Sequence, residues 1–241
     1  MKYCVDMPGC LGDSIFVQKL IHQLSEESDD VFWHINGGTW NSGACRLISP
    51  PNVQKGPHLP RNYPGVDKTY DLCYHGDRFS SDLMKSKYTY NGFDSTGWQK
   101  YVKYDRNLEI ENQLMTHLGI EKGDPYIFYN DTYGSDSKHN GVVKSIPEGY
   151  DGKVIKLEIF NECTVWDWCT VFENAEEIYT VDTSIVWVIE TLETKATKMT
   201  CHPRHYICVK NQIADLLSKP WIHVDYDRDT WRELCPDERE F

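Results

Sequence analysis

The sequence has no apolar run that approaches the roughly 20 residues a membrane-spanning helix needs, because polar residues interrupt its longest apolar stretches. Its N-terminus also lacks the basic segment, apolar stretch and small-residue cleavage site of a secretory leader. Together these absences predict a cytoplasmic protein with no membrane span. Basic charge is scarce as well, since 25 Lys and Arg face 37 Asp and Glu for a net charge of -12. General attraction to nucleic acid or to an anionic membrane is therefore disfavoured, and an anionic ligand has to be held by local features. Neither an internal repeat nor a low-complexity segment is present.

Two metal patterns are also missing. Structural zinc sites pair their ligands as two tight couples around a longer loop, and "CHPRHYIC", with Cys201, His202, His205 and Cys208, has neither that spacing nor a second couple. No Asp-x-Asp metal motif stands beside a nucleotide-type loop; "DYD" at 225–227 reads as part of a solvated acidic tail. The nine cysteines are odd in number and scattered, with several in apolar runs, which predicts reduced and mostly buried thiols rather than a disulfide framework.

What is present is material for a core. Of 241 residues, 40% are hydrophobic and 13% aromatic, enough for one large or two small globular domains. Apolar residues recur at helical spacing in Val17, Leu20, Ile21 and Leu24, in Val165, Trp168, Cys169 and Phe172, and in Ile185, Val188, Ile189 and Leu192. Thr164 and Asp167 suit a capping box, Asp182 or Thr183 suits the cap of the third helix, and Gly119 suits the end of a helix in "NLEIENQLMTHLGI". Between them lie the strand-like runs "KYCVDM", "VFWHI", "TYDLCY", "YIFYN", "KVIKLE", "EIYTV", "ATKMT" and "WIHV". Strands alternating with helices predict the α/β class with parallel sheets. A break at "GIEKGDP" predicts two domains, 1–122 and 123–241, and residues 36–68, rich in Gly, Pro and Asn, read as long loops.

The stretch "PGCLGDS", between the first strand and the first helix, carries a chemical question. Glycines at a strand-to-helix turn let a ligand approach the helix's first N–H groups, as in phosphate sites of open α/β sheets. The full dinucleotide fingerprint is absent, however, and Asp13 follows Gly12 where a phosphate would meet a negative charge. Asp13 suits a general base for a bound hydroxyl, or a helix cap ahead of Ser14. In the second half, "TVDTSIVW" offers Asp182, Thr183 and Ser184 at another strand-to-helix turn. Upstream, "NDTYGSDSKHN" places Thr132, Ser135, Lys138 and His139 in a polar strand-end loop.

These segments, in this order, resemble the heptosyltransferase-like glycosyltransferases, whose two Rossmann-like domains face a central cleft in the glycosyltransferase-B arrangement. "PGCLGDSIFVQKLIHQL" is similar to that family's glycine turn and "GD" helix, "DTSIVWVIETL" to its helix start near the donor nucleotide, and "NDTYGSDSKHN" to the loop that opens its C-terminal domain. Ser184 stands where the family usually has glycine and Trp187 where it usually has histidine, and the chain is shorter than a typical member. Short versions of this kind resemble proteins of bacteriophages.

The resemblance implies transfer of a sugar from a nucleotide-sugar donor to a glycan or other acceptor hydroxyl, with inversion and without metal or cofactor. Asp13 is implied as the base. Gly12, Thr132, Lys138, Asp182, Thr183 and Ser184 are implied to meet the nucleotide sugar. The first half becomes the acceptor side, where Trp33, Trp40, Tyr63, Trp98, Tyr101 and Tyr104 are candidates for a sugar platform. Two other classes fit the same residues: a non-catalytic nucleotide- or glycan-binding module, and a nucleotide-sugar epimerase of the same architecture.

Overall fold

The structure, a computed structural model, describes residues 1–7, 9–75, 82–121, 123–131, 150–158, 163–203, 213–227, 229–230 and 233. The chain divides into two compact units, Met1–Arg106 and Asn107–Phe241. Each is built on one parallel sheet, so the α/β class read from the sequence holds in both halves.

In the first unit the order along the sheet is β3-β2-β1-β4, from β1 (Lys2–Met7), β2 (Asp30–Ile35), β3 (Val53–Gly56) and β4 (Lys68–Asp71). The central strands bury both faces, which is why β1 and β2 are nearly continuous apolar runs: Cys4, Val5, Val31 and Trp33 are all fully buried. Helices α1 (Leu11–Phe16) and α2 (Gln18–Glu27) follow β1, α3 (Gly37–Asn41) follows β2, and α4 (Asp82–Thr89) follows β4. Leu20, Ile21 and Leu24 of α2 are buried completely, each stabilising the fold by about 1.5–3 kcal/mol.

The second unit opens with α5 (Leu108–His117), and its sheet runs β6-β5-β7-β8-β9. The strands are β5 (Tyr126–Asn130), β6 (Lys153–Lys156), β7 (Glu177–Val181), β8 (Lys198–His202) and β9 (Trp221–His223). The reciprocal bond of the expected capping box forms as the Thr164 amide donates to Asp167 Oδ2 at 2.7 Å. A short 3₁₀ turn, Val165–Trp168, then leads into α6 (Cys169–Asn174). Thr183 caps α7 (Ser184–Glu190), and Gly119, at φ +62°, closes α5.

The compact units part before α5, where the sequence reading placed a domain boundary at 122/123, and the Glu111 carboxylate of that helix accepts from both the amide and the hydroxyl of Thr170 at the start of α6. Three other sequence expectations change. The segment 36–68 holds α3 and the edge strand β3 as well as loops. Among the described cysteines Cys4, Cys169 and Cys201 are buried, whereas Cys10 and Cys45 are exposed. Trp33 and Trp98 are packed in the core at 0% and 1% exposure, which removes them from a sugar platform.

Candidate active site

Strand order decides where a site can form. In an open parallel sheet ligands bind outside the carboxyl ends of the strands where the order reverses, since the two neighbouring connections leave in opposite directions and open a crevice. The first sheet reverses between β1 and β4, and the second between β5 and β7. Asp13 follows β1, and Asp182, Thr183 and Ser184 follow β7.

Asp13 does not cap its helix in the manner expected. The helix begins earlier, at Leu11, with Cys10 as its N-cap. Asp13 occupies the third helical position, and Oδ2 accepts from the Cys10 amide at 2.8 Å, the reciprocal bond of a capping box. Its other oxygen, Oδ1, accepts from the Tyr74 hydroxyl at 2.6 Å and lies 3.2 Å from Lys87 Nζ. Tyr74 follows β4 and Lys87 belongs to α4, so three elements around the reversal point meet on one carboxylate. The Lys87 side chain is 0% exposed and that of Asp13 6%. The remaining Lys87 contacts are the Leu72 carbonyl, at 2.7 Å, and the face of the Tyr74 ring, 4.0 Å from its centroid.

The two glycines of the turn differ in role. A Cβ at Gly9 would lie 2.8 Å from both Cβ and Cγ of Asp13 and 3.0 Å from Oδ2, so any side chain there displaces the carboxylate. The Gly9 carbonyl is itself held by Asn36 Nδ2 at 2.9 Å and Thr39 Oγ1 at 2.7 Å, which ties the turn to α3. Gly12 is a buried residue inside α1.

Beside this group, Cys73 is an inert thiol. Its hydrogen bond with the Asp71 carboxylate, together with burial, pushes it up to about 11, so it stays protonated at neutral pH and is no nucleophile.

At the second reversal point, Thr183 Oγ1 accepts from the Ile185 amide at 3.3 Å and the Asp182 amide donates to the His202 carbonyl at 2.9 Å. Asn130 Nδ2 donates to Thr180 Oγ1 at 3.1 Å, linking β5 to β7. Asp131, at the end of β5, accepts from Lys156 Nζ at 3.0 Å and from the Tyr129 hydroxyl at 3.2 Å. Thr132 and Lys138 lie outside the described residues. Among the described residues no three His, Cys, Asp or Glu side chains are grouped to hold a metal ion, and His205 and Cys208 of "CHPRHYIC" fall outside them.

His202 ends β8, buried to 1% exposure, with Nδ1 2.7 Å from the Tyr226 hydroxyl. Burial pushes its imidazole down to about 4 from the ordinary 6.5. The unfolded chain therefore takes up a proton near pH 6.5 that the folded chain refuses until about pH 4. Neutral His202 contributes its full share of stability above pH 6.5, and the share is lost as pH falls towards 4, about 3 kcal/mol in all. Urea unfolding at pH 7.5 and at pH 4.5 should show the loss, and His202→Asn should flatten that part of the pH dependence. An unchanged slope in the variant would place the titrating group elsewhere.

Sequence reasoning missed Lys87 and Tyr74, which no motif marks, and Asp131 and Lys156, which the strand-end rule combined with sheet order would have flagged.

No family model and no curated protein matches the chain. The fold is similar to that of a solved glycosyl transferase family 9 protein from Veillonella parvula DSM 2008, with a TM-score of 0.56, 9% identity, and coverage of 99% of this chain and 92% of that one. The likeness defines a glycosyltransferase-B-like α/β fold over the length of the chain. Among the described residues no helix is long and apolar enough to cross a membrane.

Proposed function

We propose that this chain is a glycosyltransferase that moves a sugar from a nucleotide-sugar donor to an acceptor hydroxyl, with inversion and without metal. The observation that carries the reading is the likeness in fold to a glycosyl transferase family 9 protein along 99% of the chain. The position of Asp13 at the reversal point of the first sheet supports it.

In this reading Asp13 takes the proton of the acceptor hydroxyl as that oxygen attacks the anomeric carbon. The donor nucleotide lies at the reversal point of the second sheet, against Asp182, Thr183 and Ser184. Thr132 and Lys138, which follow β5 in the sequence, meet the diphosphate, and the Lys138 cation offsets charge on the leaving group. Gly12 is assigned here to the packing of α1 rather than to the donor.

A second reading, a binding module without catalysis, is favoured by one feature: a carboxylate bonded to a buried lysine, a tyrosine and a backbone amide is also what a purely structural aspartate looks like.

Nucleoside diphosphates test the donor site without knowledge of the acceptor. A ligand that binds only the folded state stabilises it by about 2.7 kcal/mol at a hundred times its dissociation constant, so a thermal-shift screen of uridine, guanosine, adenosine and deoxythymidine diphosphates should single out one base. The double variant Lys138→Ala, Thr183→Ala should then bind that nucleotide about 1.5–3 kcal/mol more weakly by calorimetry, the worth of a charge-assisted contact. Equal affinity would remove the donor from this turn. Chromatography of the products made from a nucleotide sugar separates transfer, epimerisation and no reaction.

A further inference from the structure

A carboxylate offers about four lone pairs, and the contacts on Asp13 divide unevenly between its two oxygens. Among the described residues Oδ1 faces two donors, the Tyr74 hydroxyl at 2.6 Å and the Lys87 ammonium at 3.2 Å, whereas Oδ2 faces only the Cys10 amide at 2.8 Å. The lone pair left over is on Oδ2, beside Gly9, where a side chain would lie 3.0 Å away. Lys87 has no exposed surface, and its ammonium is held by Asp13, the Leu72 carbonyl and the Tyr74 ring, so it reaches nothing but its partners.

Resting on the transferase reading above, we infer that Lys87 and Tyr74 are positioning residues that lock Asp13 Oδ1 and leave Oδ2 to take the acceptor's proton. As the reaction proceeds, the acceptor oxygen forms its bond to the anomeric carbon. The bond from that carbon to the diphosphate oxygen breaks, its electron pair leaves with the nucleoside diphosphate, and the acceptor's proton passes to Oδ2. Lys87, 3.2 Å from Oδ1, fixes the plane of the carboxyl group, so that Oδ2 is presented in one orientation. The Tyr74 hydroxyl closes the second bond to Oδ1 and prevents the carboxylate from swinging about its last side-chain torsion. Misplacement of a reacting group by about 1 Å can cost on the order of 10²-fold in rate, which sets the scale of the effect.

The test uses the whole chain and a panel of hexose esters of uridine, guanosine, adenosine and deoxythymidine diphosphate, with water as acceptor and release of the nucleoside diphosphate as the signal. Tyr74→Phe keeps the half-exposed ring and removes only the hydroxyl, so it preserves the fold; kcat should fall roughly 10-fold with the donor KM unchanged. Lys87→Met, of similar length, should lower kcat by about 10²-fold. Introduced into Asp13→Asn, neither change should alter the residual rate by more than about 2-fold, because residues that act through one group are not additive. A general packing defect would instead lower both backgrounds by the same factor, and that result overturns the inference. So does an unchanged kcat in Tyr74→Phe and Lys87→Met. Failure of the transferase reading looks different: Asp13→Asn releases diphosphate at the wild-type rate, or the unaltered protein releases none from any donor.

Discussion

Asp13→Asn should lower the rate of sugar transfer by about 10²-fold or more while leaving nucleotide affinity within experimental error. The substitution removes the basicity and keeps the shape, but the structure adds a second consequence that shape alone does not reveal. Lys87 is completely buried, and the carboxylate within ion-pair distance of it among the described residues is that of Asp13. An asparagine there removes that ion pair, and breaking a buried pair by removing one partner costs about 3–5 kcal/mol. The variant is therefore expected to melt at lower temperature as well as to react slowly. The two effects come apart in Asp13→Asn, Lys87→Met, where no buried charge is left over. Much of the stability should return, because apolar replacements of buried pairs are often neutral, but the rate should not. Assays run below the melting temperature of each variant, with nucleotide binding by calorimetry as the control for folding, measure both. A double variant that transfers sugar at the wild-type rate would reduce Asp13 to a structural carboxylate and leave the binding-module reading in place.

That coupling explains how far the site could be read from sequence. The glycine turn, Asp13 and the turn at Asp182 announce themselves because each is local: a few residues between a strand and a helix determine the geometry. Lys87 is the opposite case. It lies in "DLMKSKYT", where Ser86, Lys87 and Tyr88 are the buried positions, so the chain there shows no apolar stripe and nothing in its pattern suggests a helix with a charge inside. The partner that justifies the burial lies on the neighbouring strand's connection, and only the β1/β4 pairing brings the two together. Strands were legible for the same reason that α4 was not. The central strands β1, β2, β5 and β7 are largely covered on both faces, so their sequences are mostly apolar, whereas β3 is a four-residue edge strand with a glutamine and a lysine. Gly9 was legible as a residue that permits close approach. What approaches is the Asp13 side chain of the helix that follows the turn.

Glu190→Ala should be among the most destabilising single changes in the second unit, by at least about 3 kcal/mol. The helix α7 is apolar at almost every position, and periodicity alone would leave Glu190 facing water. Instead it is 4% exposed and gathers four donors: the Ser218 amide and hydroxyl, each at 2.8 Å, the Lys219 amide at 3.2 Å, and the Trp221 indole N–H at 2.7 Å. Trp221 opens β9, which among the described strands pairs with β8 alone. One carboxylate thus anchors the turn that aligns this strand, and truncation to alanine leaves a buried indole N–H and two backbone amides without their acceptor. Hydrogen bonds to an ionised group contribute about 1.5–3 kcal/mol each, and water can restore only those at the exposed Ser218 end of the turn. Urea unfolding followed by circular dichroism should give the loss, and hydrogen exchange should speed up first in residues 221–223 and then in β8. Glu190→Gln should be milder, since its carbonyl oxygen still accepts from Trp221 while its amide group opposes the Ser218 donors. A Glu190→Ala variant within about 0.5 kcal/mol of wild type would show that water replaces the carboxylate and that β9 is held by its apolar contacts alone.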